Sequence, residues 1–352
     1  MRAISRLASG CKPDFGTRIP STFFPAFSMK HFACLCLGMA LLAACHKDDD
    51  IIECAPSVVA TFANLRAAAP PVQTYSFDLT QAQSIRTSNG ATVAFGPSAF
   101  VLPNGNAATG QAQLRIREIY SVPDMILADM PTTAQSSRQV LISGGEFRIQ
   151  VWQGSTRLRL AGLSPIGVVQ RLVLTSPIPP AGLDTTPMLL WQQPFPAAGV
   201  PPGRDSTGWQ LISGPSGIAS TVPSAAGYYT ASLPLDSLSN WNIDQFWHAY
   251  QNAGSSSVMV EVPTATTATV THVYFRPVGF NGLARCYLAS SAATRWTSVL
   301  PLGADVIAVV LQERDGQLYY GTERLTVGAN SVATPPLQAL TAAEIVQRVR
   351  QL

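Results

Sequence analysis

Hydrolysis through a serine or threonine needs a base beside the nucleophile, normally histidine. The chain has four histidines, and His46, His248 and His272 are those beyond residue 44. His46 sits in a charged stretch, His272 alternates with Val270 and Tyr274 in a strand-like run, and His248 follows Phe246-Trp247. None adjoins a serine motif, because Gly214-Pro215-Ser216-Gly217 has turn composition and not the strand–turn–helix setting of a nucleophile elbow. Glycoside hydrolysis needs two facing acids. Acids are sparse, and Glu118 and Glu146, in adjacent β elements, are the pair whose facing has to be checked. There is no Cys-x-x-Cys or mixed Cys/His spacing for a metal, and Asp48-Asp49-Asp50 lacks the loop of an EF-hand. The expectation is a protein without catalytic residues, metal or cofactor. What remains for binding is aromatic: the chain's six tryptophans are Trp152, Trp191, Trp209, Trp241, Trp247 and Trp296. An exposed tryptophan stacks on sugars or anchors a protein partner, whereas a buried one is core.

The elements that would position these residues are short strands. In Gln111 to Tyr120, Ala112, Leu114 and Ile116 alternate with Gln113, Arg115 and Arg117, the period of two of a half-buried strand. Phe147, Ile149 and Val151 alternate in the same way with Arg148 and Gln150, and Leu158 and Leu160 with Arg157 and Arg159. Turn signals such as Pro103-Asn104-Gly105-Asn106 and Asp315-Gly316 separate such runs, the latter a hairpin signal. Pro123 to Met130 reads as one short helical turn. The fold class is all-β, with two tandem β-sandwiches over residues 73–250 and 256–336. The second is a small Ig-like or transthyretin-like sandwich. A C-terminal helix at 340–352 opens on the capping box Thr341-Ala-Ala-Glu344 and docks the apolar face Ile345, Val346, Val349 and Leu352 on the last sandwich.

The run Gly90-Ala-Thr-Val-Ala-Phe-Gly-Pro-Ser-Ala-Phe-Val-Leu-Pro-Asn-Gly105 resembles the opening of the ZU5-like β-sandwich of many Bacteroidota lipoproteins. Leu114 to Leu127 and Ser143-Gly-Gly-Glu-Phe147 continue the resemblance, and Trp241-Asn-Ile-Asp244 with Phe246 is similar to its closing segment. The Pro-rich span 194–203 looks like an insertion loop. The resemblance implies glycine turns at Gly90, Gly105 and Gly145, core positions at Phe95 and Phe100, and Asp124 as a helix cap. Some eukaryotic ZU5 domains cleave themselves at a His-Phe-Ser-type site. Here the histidines precede Ala249 and Val273, so that activity is not expected.

Met29-Lys30-His31, an apolar run from Phe32 to Leu42, and the small Ala43-Ala44 have the order of a signal peptide over residues 29–44. Leu42-Ala43-Ala44-Cys45 resembles the bacterial lipobox, which implies a diacylglycerol on Cys45, cleavage before it and acylation of the new amino group. Several chains anchor stably, at about 0.8 kcal/mol per buried methylene. Lys47-Asp48-Asp49-Asp50 resembles the export signal of surface lipoproteins, a reading preferred here to a plain solvated spacer because charge is otherwise sparse, and it opens a tether at 45–72. Residues 1–28, with Pro13, Pro20 and Pro25, read as a mis-set start.

This processing alters the charge. The full chain has 23 basic and 20 acidic residues; residues 1–44 hold Arg2, Arg6, Lys12, Arg18 and Lys30 against Asp14, which leaves 18 against 19. No basic excess argues for nucleic acid. Cys45, Cys54 and Cys286 are the cysteines left, and a Cys54–Cys286 disulfide or two thiols both remain open. The functional expectation is a lipid-anchored outer-membrane surface protein acting as a non-enzymatic interaction or structural module. A carbohydrate-binding accessory protein is the alternative, and an exported hydrolase comes third. The expected partners are the membrane, through lipid on Cys45, and a surface protein or glycan.

Overall fold

Alternation of apolar and polar residues organises the first half of the chain into paired sheets. The computed structural model describes residues 61–161, 172–178, 188–193, 208–212, 228–233, 239–266, 269–289 and 294–352. Cys45, Cys54, the Lys47–Asp50 run, the signal segment, the insertion span 194–203 and Gly214–Gly217 lie outside those residues.

After helix α1 (Phe62–Ala67) come β1 (Gln73–Asp78), β2 (Gln83–Arg86), β3 (Thr92–Phe95), β4 (Phe100–Val101) and β5 (Gln111–Ile119). Helix α2 (Val122–Ala128) leads to β6 (Leu141–Gln153), β7 (Thr156–Arg157), β8 (Arg159–Leu160) and β9 (Leu172–Pro177). β10 (Leu189–Gln193), β11 (Gln210–Leu211), β12 (Tyr228–Leu233) and β13 (Asn240–Phe246) complete the first sandwich. One sheet runs β1-β5-β6-β13-β10-β11 with β7 on β6, and the other runs β12-β9-β3-β2. Between them Leu114, Ile116, Phe147, Ile149, Val151 and Trp241 meet Val93, Phe95, Leu174 and Tyr229. Phe95 and Phe100 are in that core, and Gly90, Gly105 and Gly145 have φ of 95°, 87° and 139°. The cap of α2 differs from expectation. Ser121 is the N-cap, its Oγ accepts the Asp124 amide at 3.4 Å, and Asp124 sits inside the first turn.

A short helix α3 (Ala249–Asn252) separates the sandwiches. β14 (Ser255–Glu261), β15 (Val270–Pro277), β16 (Ala284–Arg285), β17 (Tyr287–Leu288) and β18 (Arg295–Pro301) follow. Then come β19 (Asp305–Arg314), β20 (Gln317–Thr326), β21 (Val332–Ala333), β22 (Gln338–Leu340) and helix α4 (Ala342–Val349). The sheets are β17-β18-β14-β21 and β16-β15-β19-β20-β22. Asp315-Gly316 turns β19 into β20 with φ of 53° and 72°, the left-handed pair a tight hairpin requires.

Three helices fill the junction. The outer face of the five-stranded sheet supplies Tyr274, Val309, Leu311, Leu318 and Tyr320. Phe62 and Leu65 of α1, Met125 and Ile126 of α2, and Ile345 and Val349 of α4 pack on it, together with Leu141 and Trp191 from the first sandwich. Two expectations change here. Residues 61–72 are not tether throughout, because Phe62 and Leu65 find a buried site and the Phe62 amide donates to Glu313 Oε2 at 2.7 Å. The C-terminal helix docks on the last sandwich and also against α1 and α2. β19 is apolar on both faces (Val306, Ala308 and Val310 inward; Val309 and Leu311 outward) because it is covered on both sides.

Ile345→Ala removes apolar atoms from this shared core. It is expected to cost about 2–4 kcal/mol in urea unfolding, with both sandwiches lost in a single transition. Two separated transitions in the wild type would contradict a shared core.

Candidate functional site

The outer face of the seven-stranded sheet is where polar residues converge. Alternation along β5 turns Gln113, Arg115 and Arg117 outward, opposite Trp152, Gln150 and Arg148 of β6. Across β6 and β13, Arg148 lies opposite Asn240, and Glu146 opposite Asn242. Between Glu146 and Ser143 the register with β13 slips, so β6 carries one residue more than its partner. Gly144 and Gly145 occupy this bulge. A Cβ on Gly145 would come within 2.9 Å of the Tyr120 ring, and one on Gly144 within 2.9 Å of the Ile243 carbonyl oxygen. The bulge keeps Ser143 on the same face as Asn242, whose Oδ1 accepts the Ser143 hydroxyl at 3.0 Å.

One end of this face is a buried acid pair. Glu146 and Asp244 are both fully buried. The Asn242 amide donates to Asp244 Oδ2, while neither carboxylate oxygen of Glu146 has a hydrogen-bond partner. Burial pushes both carboxyls well above the usual range. At Glu146 the nearby Asp244 adds to the rise, and at Asp244 hydrogen bonds from Ser143 and Gly144 offset part of it. The expected facing of Glu118 and Glu146 does not occur. Glu118 lies opposite Phe147 and Glu146 opposite Ile119, so alternation sends them to opposite faces. Glu118 is instead satisfied by Gln73 Nε2 at 2.7 Å, Thr87 Oγ1 at 2.8 Å and the Tyr120 hydroxyl at 3.1 Å. The acid that joins Glu146 is Asp244, and the adjacent glycines ahead of Glu146 were the sequence signal for the bulge that brings them together.

The other end is basic and aromatic. Arg117 stands directly opposite Arg148, and Arg157 opposite Trp152. The Arg115 guanidinium lies 5.0 Å from the Trp152 ring centroid and donates to Gln113 Oε1 at 3.2 Å, while the indole N–H donates to Gln150 Oε1 at 3.2 Å. Burial lowers the affinity of Arg148 for its proton, and the charges of Arg117 and Arg157 lower it further.

A second charged centre lies at the junction. Asp129, in the left-handed conformation (φ 56°) that ends α2, binds Arg285 and Arg66 (3.2 Å to the latter), His272 at 3.3 Å and the Tyr274 hydroxyl at 2.5 Å. Burial alone would raise its carboxyl, but Arg285, His272 and Arg66 outweigh it and hold the group far below the usual range. His272 is thus tied to an aspartate and packed edge-on against Phe62 at 4.7 Å. The hydroxyl beside this pair is the Tyr274 phenol, which gives a clasp and not a serine triad.

The tryptophans divide by burial. Trp191, Trp209 and Trp241 are wholly buried, and Trp296 is core of the second sandwich. Their expected part in ligand contact is corrected: no sugar reaches them without unfolding, and Trp191 and Trp209 spend their indole N–H on the Asp244 and Pro131 carbonyls at 3.2 and 2.8 Å. Trp247 is half-buried between Phe280 and Tyr250, at 4.6 and 5.7 Å. Trp152 is half-buried on the polar face. Cys286 is an unpaired buried thiol whose pKa burial pushes up. Among the described residues there is no cluster of three or more His, Cys, Asp or Glu side chains able to hold a metal ion.

Compared with known proteins, the chain matches no family model and no curated protein.

Two stability changes follow. Asp129→Asn leaves Arg285 and Arg66 without their anion and is expected to cost about 3–5 kcal/mol at neutral pH. The folded value of Asp129 lies below its unfolded value of about 3.9, so the contribution is full above that pH and lost on acidification towards the folded value. Melts of wild type and variant should therefore converge in acid. Glu146 has the opposite sign. Its raised folded value makes its contribution greatest below about pH 4.3 and lost as pH rises through the folded value. The melting temperature of Glu146→Gln, relative to wild type, is expected to climb from pH 4 to pH 8; a pH-independent difference would refute a raised Glu146.

Proposed function

We propose that this chain is a lipid-anchored protein of the outer-membrane surface that serves as a non-enzymatic binding module. The observation that carries the reading is the order basic start, apolar run, Leu42-Ala43-Ala44-Cys45, then Lys47-Asp48-Asp49-Asp50, placed just ahead of a folded all-β body. Acylation of the Cys45 thiol supplies the membrane attachment, and the acidic stretch keeps the tether extended by self-repulsion. Among the described residues no helix is long and apolar enough to cross a membrane. The body suits binding better than turnover. His272 is held in a clasp, Glu118 and Glu146 diverge, and the raised acid pair is closed off from water.

A second reading, carbohydrate binding, is favoured by Trp152, which sits half-buried on the polar sheet face beside arginines and glutamines.

Cys45→Ala in the full chain is expected to abolish incorporation of labelled fatty acid and to shift the protein out of the membrane fraction. Replacing Asp48, Asp49 and Asp50 by alanine should leave acylation intact and remove access to protease added to whole cells. Labelling that persists in Cys45→Ala would overturn the anchor. Unchanged protease access in the triple variant would reduce the acidic run to a spacer.

A further inference from the structure

The acid end of the outer sheet face breaks three local rules at one place. The first concerns alternation. Ser143 lies opposite Asp244 and Glu146 opposite Asn242, so two residues three apart on β6 share one side of the sheet, which a regular strand does not allow. Gly144 and Gly145 form the bulge that permits it, and a Cβ on either would come within 2.9 Å of a neighbouring atom. The second concerns charge. Glu146 and Asp244 stand together at 0 % exposure, and no arginine draws either carboxyl back down. The third concerns hydrogen bonds. Glu146 Oε1 and Oε2, Asp244 Oδ1 and Asn240 Oδ1 are buried and without a partner among the described residues. Burying polar oxygens unpaired is costly, and sequences keep such conflicts where a site requires them.

The unpaired atoms specify the ligand chemistry. They are acceptor oxygens, and two of the side chains bring a negative charge each once ionised. A hard divalent cation neutralises such a pair and takes the place of the missing donors. No histidine or cysteine stands on β6 or β13, so the set does not suit zinc or copper. Magnesium keeps several of its waters, for which a fully buried pair leaves no opening, whereas calcium gives them up more readily and accepts oxygens in irregular geometry. Asn242 Oδ1 and the Ser143 hydroxyl, 3.0 Å apart on the same side, are the further oxygens beside the two acids.

We propose that Glu146 and Asp244, with Asn242 and Ser143 beside them, form a calcium site that pins the β6 bulge to β13. Two carboxylates place its dissociation constant in the range of extracellular modules, about 10⁻⁴–10⁻³ M. The ion enters as the sheet face closes during folding, since neither acid is exposed afterwards. The inference is independent of both functional readings above.

The test uses the detergent-solubilised full-length protein at pH 8, with calcium chloride or with chelator. Calcium binds the folded state alone, so about 10 mM of it is expected to raise the melting temperature by about 3–8 °C. Glu146→Gln and Asp244→Asn should each lose that shift. After refolding from urea, equilibrium dialysis with radiolabelled calcium should find one ion per chain fewer in Glu146→Gln than in wild type. In chelator, Glu146→Gln should melt no lower than wild type, because a neutral amide replaces a carboxyl whose ionised form burial disfavours. Calcium should then lift the wild type above the variant, and that reversal separates a ligand from a structural residue. Glu118→Gln removes a buried acid that has three hydrogen-bond partners on the opposite face, so it should lower the melting temperature and keep the shift. Replacing Asp48, Asp49 and Asp50 by alanine should keep it too, which leaves this test and the surface-anchor test free to fail separately. A melting temperature indifferent to calcium, a shift that survives in Glu146→Gln, or a larger shift from magnesium at equal concentration overturns the proposal.

Discussion

The fold depends on one carboxylate. Asp129 ends a helix of the first sandwich and receives Arg285, Tyr274 and His272 from the second, with Arg66 from the helix that opens the body. Apolar burial at the junction supplies the driving force, since it is proportional to area and indifferent to direction. Two sheets with apolar outer faces could meet in several orientations. A half-buried anion held by four specific partners narrows that choice. The clasp also holds Arg66 where its guanidinium donates to the Ile126 and Leu127 carbonyls at 2.7 and 3.0 Å, which satisfies the C-terminal end of the same helix.

From this constraint the rest of the arrangement follows. Phe62 and Leu65 cannot belong to a solvated tether once Arg66, next to Leu65, is tied to Asp129. The C-terminal helix closes over the same cluster, and Arg350 donates to the Ala68 carbonyl at 3.3 Å, so both ends of the described body meet at the junction. The sandwiches, read from the sequence as two tandem units, share a core.

What was legible in the sequence was local. Period-two alternation marked β5 and β6, Asp315-Gly316 marked the β19–β20 turn, and Thr341 with Glu344 marked the start of the last helix, because each signal acts within a few residues. What was not legible depended on partners distant in the chain. Whether Glu118 faces Glu146 is decided by a register, and a shift of one residue reverses the answer. Whether Trp191 or Trp209 meets solvent depends on helices from elsewhere packing over the sheet. Asp129 carried no sequence motif, because Arg66, His272 and Arg285 reach it across up to 156 positions of chain.

The two ends of the outer face make sense together. An ionised Glu146 would stand two residues from Arg148 on the same side of β6, and opposite charges at that range attract. The pair would draw the guanidinium inward and cancel part of the positive field. Burial at 0 % exposure, with Asp244 beside it, favours the proton on Glu146 and keeps that negative charge from forming. The cost is a buried carboxyl whose oxygens have no hydrogen-bond partner, a feature that stability alone would remove.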